Sequence, residues 1–116
     1  RALARVYHDR LKDVEGVELP VGPDSDPRRQ DVFQNYTVMA DRRDDLVEHL
    51  NADGIEVLIS WPVPFHKQAG VGLDHWVLPN TERLSRRVLS LPMNAELETA
   101  EVEYVADSVA RFFGTR

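Results

Sequence analysis

The side chains that could do chemistry in this chain are concentrated between residues 60 and 78, where serine, histidine, aspartate and tryptophan occur close together. Ser60, His66 and Asp74 are the residue types of a hydrolase triad, but the strained turn that activates such a serine is missing around Ser60. His66 and His75 could ligate a metal ion, but no matching pair of carboxylates accompanies them. The residue types therefore favour neither a triad nor a metal site.

The segment Ser60–Gln68 is the most informative part of this region. It combines two prolines, two aromatic residues and a histidine directly after the apolar run Ile55–Ile59. Loops that follow buried strands are frequent ligand sites. The same composition is also typical of a proline-stiffened connection whose aromatic rings fill the core, and the residue types alone slightly favour this structural interpretation.

Composition narrows the classes of function. The chain has no cysteine, which excludes disulfides, thiolate nucleophiles and cysteine-ligated zinc, and makes a reducing cytoplasm the default expectation. A net charge of -6 argues against binding to a nucleic-acid backbone, and the apolar runs are too short to cross a membrane. The basic cluster Arg83, Arg86 and Arg87 could meet a nucleotide-sugar diphosphate, although a solvated face is the more frequent explanation of such a cluster.

The elements that must position these residues follow from periodicity. A chain of 116 residues with 42% hydrophobic residues is predicted to form one domain, residues 1–116. Helical spacing of apolar residues predicts helices over residues 1–13, 42–53, 80–87 and 99–113, with Asp41, Asn80 or Thr81, and Thr99 as caps and Gly54 as a stop. Strands are predicted over residues 17–21, 32–39, 55–59 and 88–91, with the second internal and Pro92 ending the last.

These elements predict an α/β fold of the α+β type, with a small, mostly antiparallel sheet of three or four strands covered by helices. Residues 60–78 are predicted to form a long ordered loop. Arg1 opens what looks like the middle of a helix, so we expect the chain to be part of a longer protein. The stripe of Leu3, Tyr7 and Leu11 on this helix is expected to form an exposed apolar patch when the chain is on its own.

An ordered series of short segments, separated by matching gaps, resembles the DegT/DnrJ/EryC1/StrS family of aminotransferases. No single segment is specific, but their order is. The segments are Val32-Phe33-Gln34-Asn35-Tyr36-Thr37-Val38, Arg43-Asp44-Asp45-Leu46, Leu50 with Gly54-Ile55, Trp61-Pro62, His66-Lys67-Gln68, Leu78-Pro79-Asn80-Thr81-Glu82, Val88-Leu89-Ser90-Leu91-Pro92 and the terminal helix. Members of this family are pyridoxal-phosphate (PLP) enzymes that aminate keto-sugars attached to nucleotides.

The resemblance implies the C-terminal small domain of a fold-type-I aminotransferase. Residues 1–13 would be the end of the interdomain helix and residues 60–78 an active-site-facing loop. The Schiff-base lysine, the acidic partner of the pyridine nitrogen and most phosphate ligands of the family lie before Arg1, so this chain alone is expected to bind no PLP and to catalyse nothing. The implied partners are the large PLP-binding domain of the same polypeptide, a second copy in a homodimer, a nucleotide-sugar substrate and an amino donor, usually glutamate.

The resemblance also implies a set of substrate-binding residues and no catalytic residue or metal ligand. Trp61 fits the family's aromatic position near cofactor and substrate. Ser60 stands where family members often have histidine, so this residue has either lost a contact with the substrate or reflects a different sugar preference. His66 and Gln68 match a His-x-Gln pattern, and Asn35 lies on the strand beside the substrate side. The predicted site residues are therefore Trp61, His66, Asn35, Gln68 and Ser60.

Two other functions stay open. One is a stand-alone ligand-binding or interaction module of the ferredoxin-like type, since the order of elements partly imitates that fold, although its last strand is missing. The other is a catalytically inactive, regulatory homologue of the sugar aminotransferases. A Schiff-base lysine upstream of Arg1 would distinguish both from an active enzyme.

Overall fold

Residues 1–114, the part of the chain that the computed structural model describes, form four α-helices around a three-stranded antiparallel sheet. The α+β class and the antiparallel sheet are therefore confirmed. In chain order the elements are α1 (Ala2–Leu11), β1 (Val17–Glu18), β2 (Tyr36–Ala40), α2 (Arg43–Ala52), α3 (Pro79–Arg87), β3 (Val88–Leu91) and α4 (Thr99–Phe112), with a 3₁₀ turn at Phe65–Lys67.

The central strand of the sheet is β2, as the sequence predicted. The strand order is β1-β2-β3, with Val17 opposite Ala40 and Thr37 opposite Ser90. Alternate residues of β2 are buried, which is the period-two pattern of a strand with one face on the core. Pro92 follows the end of β3, also as predicted.

The hydrophobic core lies between the sheet and the pair α1 and α4. The rings of Tyr7 on α1 and Tyr36 on β2 stack with centroids 4.7 Å apart, and the Tyr7 hydroxyl donates a hydrogen bond of 2.8 Å to the carbonyl oxygen of Pro92. Tyr7 and Leu11 are fully buried. The prediction that α1 exposes an apolar patch is therefore wrong, because the apolar stripe of α4 packs against α1 within this chain.

Three predicted strands differ from the structure. β1 ends at Glu18 instead of Val21. β2 begins at Tyr36 instead of Val32, because Phe33 adopts the left-handed region with φ 52° and its N–H donates to Asp31 Oδ1 at 2.9 Å. The stretch 55–59 pairs with β3 through a single bridge, in which the backbone N–H and C=O groups of Leu58 and Ser90 bond reciprocally. Phe33 thus turns the chain where extended backbone was predicted.

The predicted N-caps are also wrong at three helices. Asp41 accepts a hydrogen bond from Arg87 at 2.9 Å instead of capping α2. Helix α3 begins at Pro79, before Asn80 and Thr81, since proline needs no hydrogen-bond partner in a first turn. Helix α4 is capped by Glu98, one residue before Thr99, in a reciprocal capping box with Glu101.

Arg43 joins α2 to the end of α3. Its side chain is buried, and its Nη1 donates to the carbonyl oxygens of Ser85 at 3.2 Å and Val88 at 2.7 Å. Its Nε bonds Asp44 Oδ1 at 2.6 Å. A buried guanidinium therefore satisfies carbonyl groups that the helix end leaves without a partner.

Replacing Gly16 by alanine is expected to destabilise the fold more than the same change at Gly54. Both glycines have positive φ, 91° and 75°, which costs an L-residue about 1 kcal/mol. A Cβ at Gly16 would also lie 2.7 Å from the Phe113 ring, whereas a Cβ at Gly54 meets nothing within 4 Å. We expect a loss of about 2 kcal/mol for Gly16→Ala and about 1 kcal/mol for Gly54→Ala in urea unfolding. Equal losses would show that the ring contact adds nothing.

Candidate functional site

The loop over residues 60–78 is held in place by ionic and polar contacts. The His66 ring is 4% exposed, and its Nε2 lies 3.0 Å from Oε1 of Glu82 on α3. Lys67 Nζ donates to the carbonyl oxygens of Asp74 at 2.9 Å and Trp76 at 3.2 Å. These bonds tie the middle of the loop to α3 and to its own second half.

Glu82 is the acceptor at the centre of these contacts. The hydrogen bond from His66 is the largest of the effects that lower the pKa of the Glu82 carboxyl, and the N–H of Leu78 adds to it at 3.2 Å. Lys67 Nζ, 4.0 Å away, acts in the same direction. Glu82 is therefore held as a carboxylate, so His66 Nε2 is the donor of their hydrogen bond.

Acid is expected to weaken these loop contacts. Because the pKa of Glu82 is lower in the folded protein than in the unfolded chain, its contribution to stability is complete above roughly pH 4.3 and is lost as the pH falls through the folded pKa. The free energy of unfolding, measured against pH, should therefore fall more steeply in acid for the natural chain than for Glu82→Gln. Parallel curves for the two proteins would contradict this role of Glu82.

Trp61 lies at the rim of an apolar cavity that we call the outer cavity, with a volume of about 420 Å³. Its lining consists of Trp61, Pro64, Phe65, Thr81, Leu84, Ser85 and Val88. The Trp61 side chain is 67% exposed and Phe65 is 63% exposed. Two aromatic rings are thus presented at the surface, and the sequence-based interpretation of this loop as core filling is not what the structure shows.

Asn35 lies in a different depression, an open groove of about 760 Å³ between residues 54–58, the end of β3 and the start of α4. Leu58, Ser90 and Tyr104 also line this groove. The structure therefore does not bring Asn35 and Trp61 into one cavity. As substrate contacts, both residues stay predictions.

The other three predicted residues have different environments. Ser60 is exposed and precedes Trp61 at the start of the loop. Gln68 is half-buried, with its Nε2 3.5 Å from the carbonyl oxygen of Val63, at the limit of a hydrogen bond. His66 is buried with Glu82, so its ring is not presented at the surface as that of Trp61 is.

Glu82 and Arg43 are the structurally important residues that the sequence analysis missed. An acidic residue in the first turn of a predicted helix was a signal for Glu82, since carboxylates are favourable there, but that pattern does not identify His66 as its partner. Nothing in the sequence marked Arg43 as buried, because arginine is mostly exposed in proteins.

The fold is that of a domain present in aminotransferases of known structure. DesV from Streptomyces venezuelae, solved in complex with a ketimine intermediate, superposes on this chain with a TM-score of 0.86 and 34% sequence identity. The superposition covers 99% of this chain and 31% of DesV. The fold thus defines the class of protein as aminotransferase-like.

The chain belongs to the DegT/DnrJ/EryC1/StrS aminotransferase family, whose model matches residues 1–110. The dTDP-3-amino-3,4,6-trideoxy-alpha-D-glucose transaminase of Streptomyces venezuelae is 41% identical over 93% of this chain and 28% of its own length. The pleiotropic regulatory protein of Geobacillus stearothermophilus is 34% identical over 97% of this chain and 31% of its own length. The chain therefore spans less than a third of these relatives.

Enzymes of this family use PLP, but the residues of this chain do not fit a PLP site by themselves. Lys67 donates to two carbonyl oxygens and lies beside Glu82, and Lys12 is an exposed residue at the end of α1. Neither lysine lines the outer cavity or the groove that contains Asn35. Within residues 1–114, no three potential metal ligands come together and no helix is long and apolar enough to span a membrane.

Proposed function

We propose that this chain is the C-terminal small domain of a PLP-dependent aminotransferase that transfers an amino group from glutamate to a nucleotide-linked keto-sugar. The observation that carries the proposal is the match of residues 1–110 to the family, with 41% identity to a relative named as the transaminase of a dTDP-linked amino sugar. The large domain of the same polypeptide would hold PLP and the catalytic lysine. A cytoplasmic homodimer is the form that we propose for the whole protein.

In this proposal the chain supplies one wall of the cleft over the sugar. Residues 60–78 face the active site, and residues 1–13 end the helix that connects the two domains. The support from the structure is that the loop is fixed by His66, Lys67 and Glu82 while Trp61 is exposed. A fixed wall can orient a substrate and exclude water, which accelerates a reaction without a catalytic residue of its own.

We assign different roles to the five predicted site residues. Trp61 contacts the substrate through its exposed ring, and Ser60 and Asn35 are exposed residues that can add polar contacts. His66 acts through Glu82 and is a positioning residue. Gln68 steadies the loop through its contact with Val63.

A regulatory protein without aminotransferase activity is the second candidate. It is favoured by the 34% identity to the pleiotropic regulatory protein of Geobacillus stearothermophilus, which covers 97% of this chain. Both candidates contain this small domain. They differ in whether the longer polypeptide, once loaded with PLP, takes an amino group from a donor.

The reaction of the longer polypeptide with glutamate alone separates the two candidates. After loading with PLP, an aminotransferase converts glutamate to 2-oxoglutarate once per site and changes the absorption spectrum of its cofactor. We expect both changes for the longer polypeptide and neither for the 116-residue chain on its own. A PLP-treated polypeptide that leaves glutamate and the spectrum unchanged would favour the regulatory candidate.

A further inference from the structure

Helix α3 has its apolar and polar residues in an unusual arrangement. Leu84 is the only aliphatic side chain of α3 apart from the proline that begins it, yet it is 37% exposed and lines the outer cavity. The buried residue of α3 is Ser85. Helices normally turn their apolar residues toward a core. The exposure of Leu84 therefore indicates that another apolar surface covers this side of α3.

The outer cavity suits apolar side chains and not charged groups. None of its seven lining residues is charged, and the exposed arginines of α3, Arg83 and Arg86, are not among them. Phosphate or carboxylate groups would find no cation there. Apolar side chains from another part of a protein would bury Phe65 and Leu84 without leaving a charge unpaired.

The rings around the outer cavity are already in position. Phe65 directly precedes His66, whose ring is fixed by its hydrogen bond to Glu82. Pro64, the residue before Phe65, restricts the backbone on the other side. Docking onto such a surface costs little conformational entropy, because the loop is ordered before contact. A surface that is ordered in advance suits a lasting contact between two parts of one protein.

We propose that the outer cavity is the docking surface for apolar side chains from the remaining part of the same polypeptide, so that Phe65 of the loop and Leu84 of α3 form a contact between domains. The inference rests on the proposed function. The relatives supply the reason for this occupant: the chain is only 28% and 31% of their lengths, so more than twice its own length of chain accompanies this domain in the family. Interfaces between domains of one chain are the expected use of such a surface.

Thiol labelling in the longer polypeptide tests this contact. Leu84→Cys places a thiol at the outer cavity, and Arg86→Cys places one on an exposed position of the same helix as the matched control. The rate of alkylation is read at each peptide by mass spectrometry. We expect residue 84 to be alkylated about tenfold more slowly than residue 86, at every protein concentration, because a docked surface reacts only when it opens.

Equal rates at the two positions would overturn the inference, as would protection that disappears on dilution, since a second copy would then cover the cavity. The proposed function is tested separately by amino transfer. Transfer with a freely reactive residue 84 would refute only the docking surface, and protection without transfer would refute only the enzyme. A second variant, Leu84→Met, checks that the helix tolerates a change at this position, and its unfolding midpoint should stay close to that of the natural chain.

Discussion

Replacing Trp61 by alanine in the longer polypeptide is expected to lower kcat/KM for the keto-sugar by roughly 30-fold, the equivalent of about 2 kcal/mol for a lost aromatic contact. The Trp61 ring is 67% exposed on a loop whose middle is fixed, so it is available to a ligand without rearrangement. The rate with glutamate alone should stay unchanged, because the contact is proposed to be with the sugar. Single-turnover kinetics of the two half-reactions measure these effects separately.

Trp76→Ala is the matched control for this variant. Trp76 is the other tryptophan of the chain and is also exposed, but it does not line the outer cavity. We expect its replacement to leave both half-reactions within about twofold of the natural enzyme. An equal loss in both half-reactions of the Trp61 variant would contradict a contact with the sugar and would indicate a general disturbance of the enzyme.

Replacing Arg43 by methionine is expected to lower the free energy of unfolding by about 3 kcal/mol. Methionine fills the volume of the arginine stem, but it leaves the carbonyl oxygens of Ser85 and Val88 without their donor in a buried place. Each unsatisfied group costs about 1–3 kcal/mol. Urea unfolding of the 116-residue chain measures the difference.

Arg86→Met is the control for Arg43→Met, since it removes an arginine charge without removing a buried hydrogen bond. Arg86 is exposed on α3 and forms no ion pair within residues 1–114, so its loss should change the free energy of unfolding by no more than about 0.5 kcal/mol. Equal effects at positions 43 and 86 would show that the bonds to the end of α3 do not stabilise the fold.

The elements that depend on periodicity were predicted well from the sequence. Val102, Val105 and Val109 repeat at helical spacing and are buried on α4, and the β-branched run around Val38 is the central strand. The limits of these elements were predicted less well. Glu98 caps α4 instead of Thr99 because Glu101 can complete a reciprocal pair with it, which the preference of single residues does not show.

The candidate site was only partly predictable. The sequence identified the loop that carries Trp61 and His66, but not that His66 is buried against Glu82, 16 positions further along the chain. Contacts of this kind depend on how the loop folds back on α3, and local patterns carry no information about that. The same holds for Asn35, which was predicted on the strand but comes just before β2 and lines a different groove from Trp61.

Transfer of the labelled amino nitrogen of glutamate to a nucleotide-linked keto-sugar, catalysed by the longer polypeptide, tests the central claim most directly. Mass spectrometry of the sugar product reads the label. The account predicts a labelled amino sugar, and it predicts less of it with Trp61→Ala than with Trp76→Ala at equal enzyme concentration. A polypeptide that folds, binds PLP and consumes glutamate but leaves every keto-sugar unlabelled would contradict it.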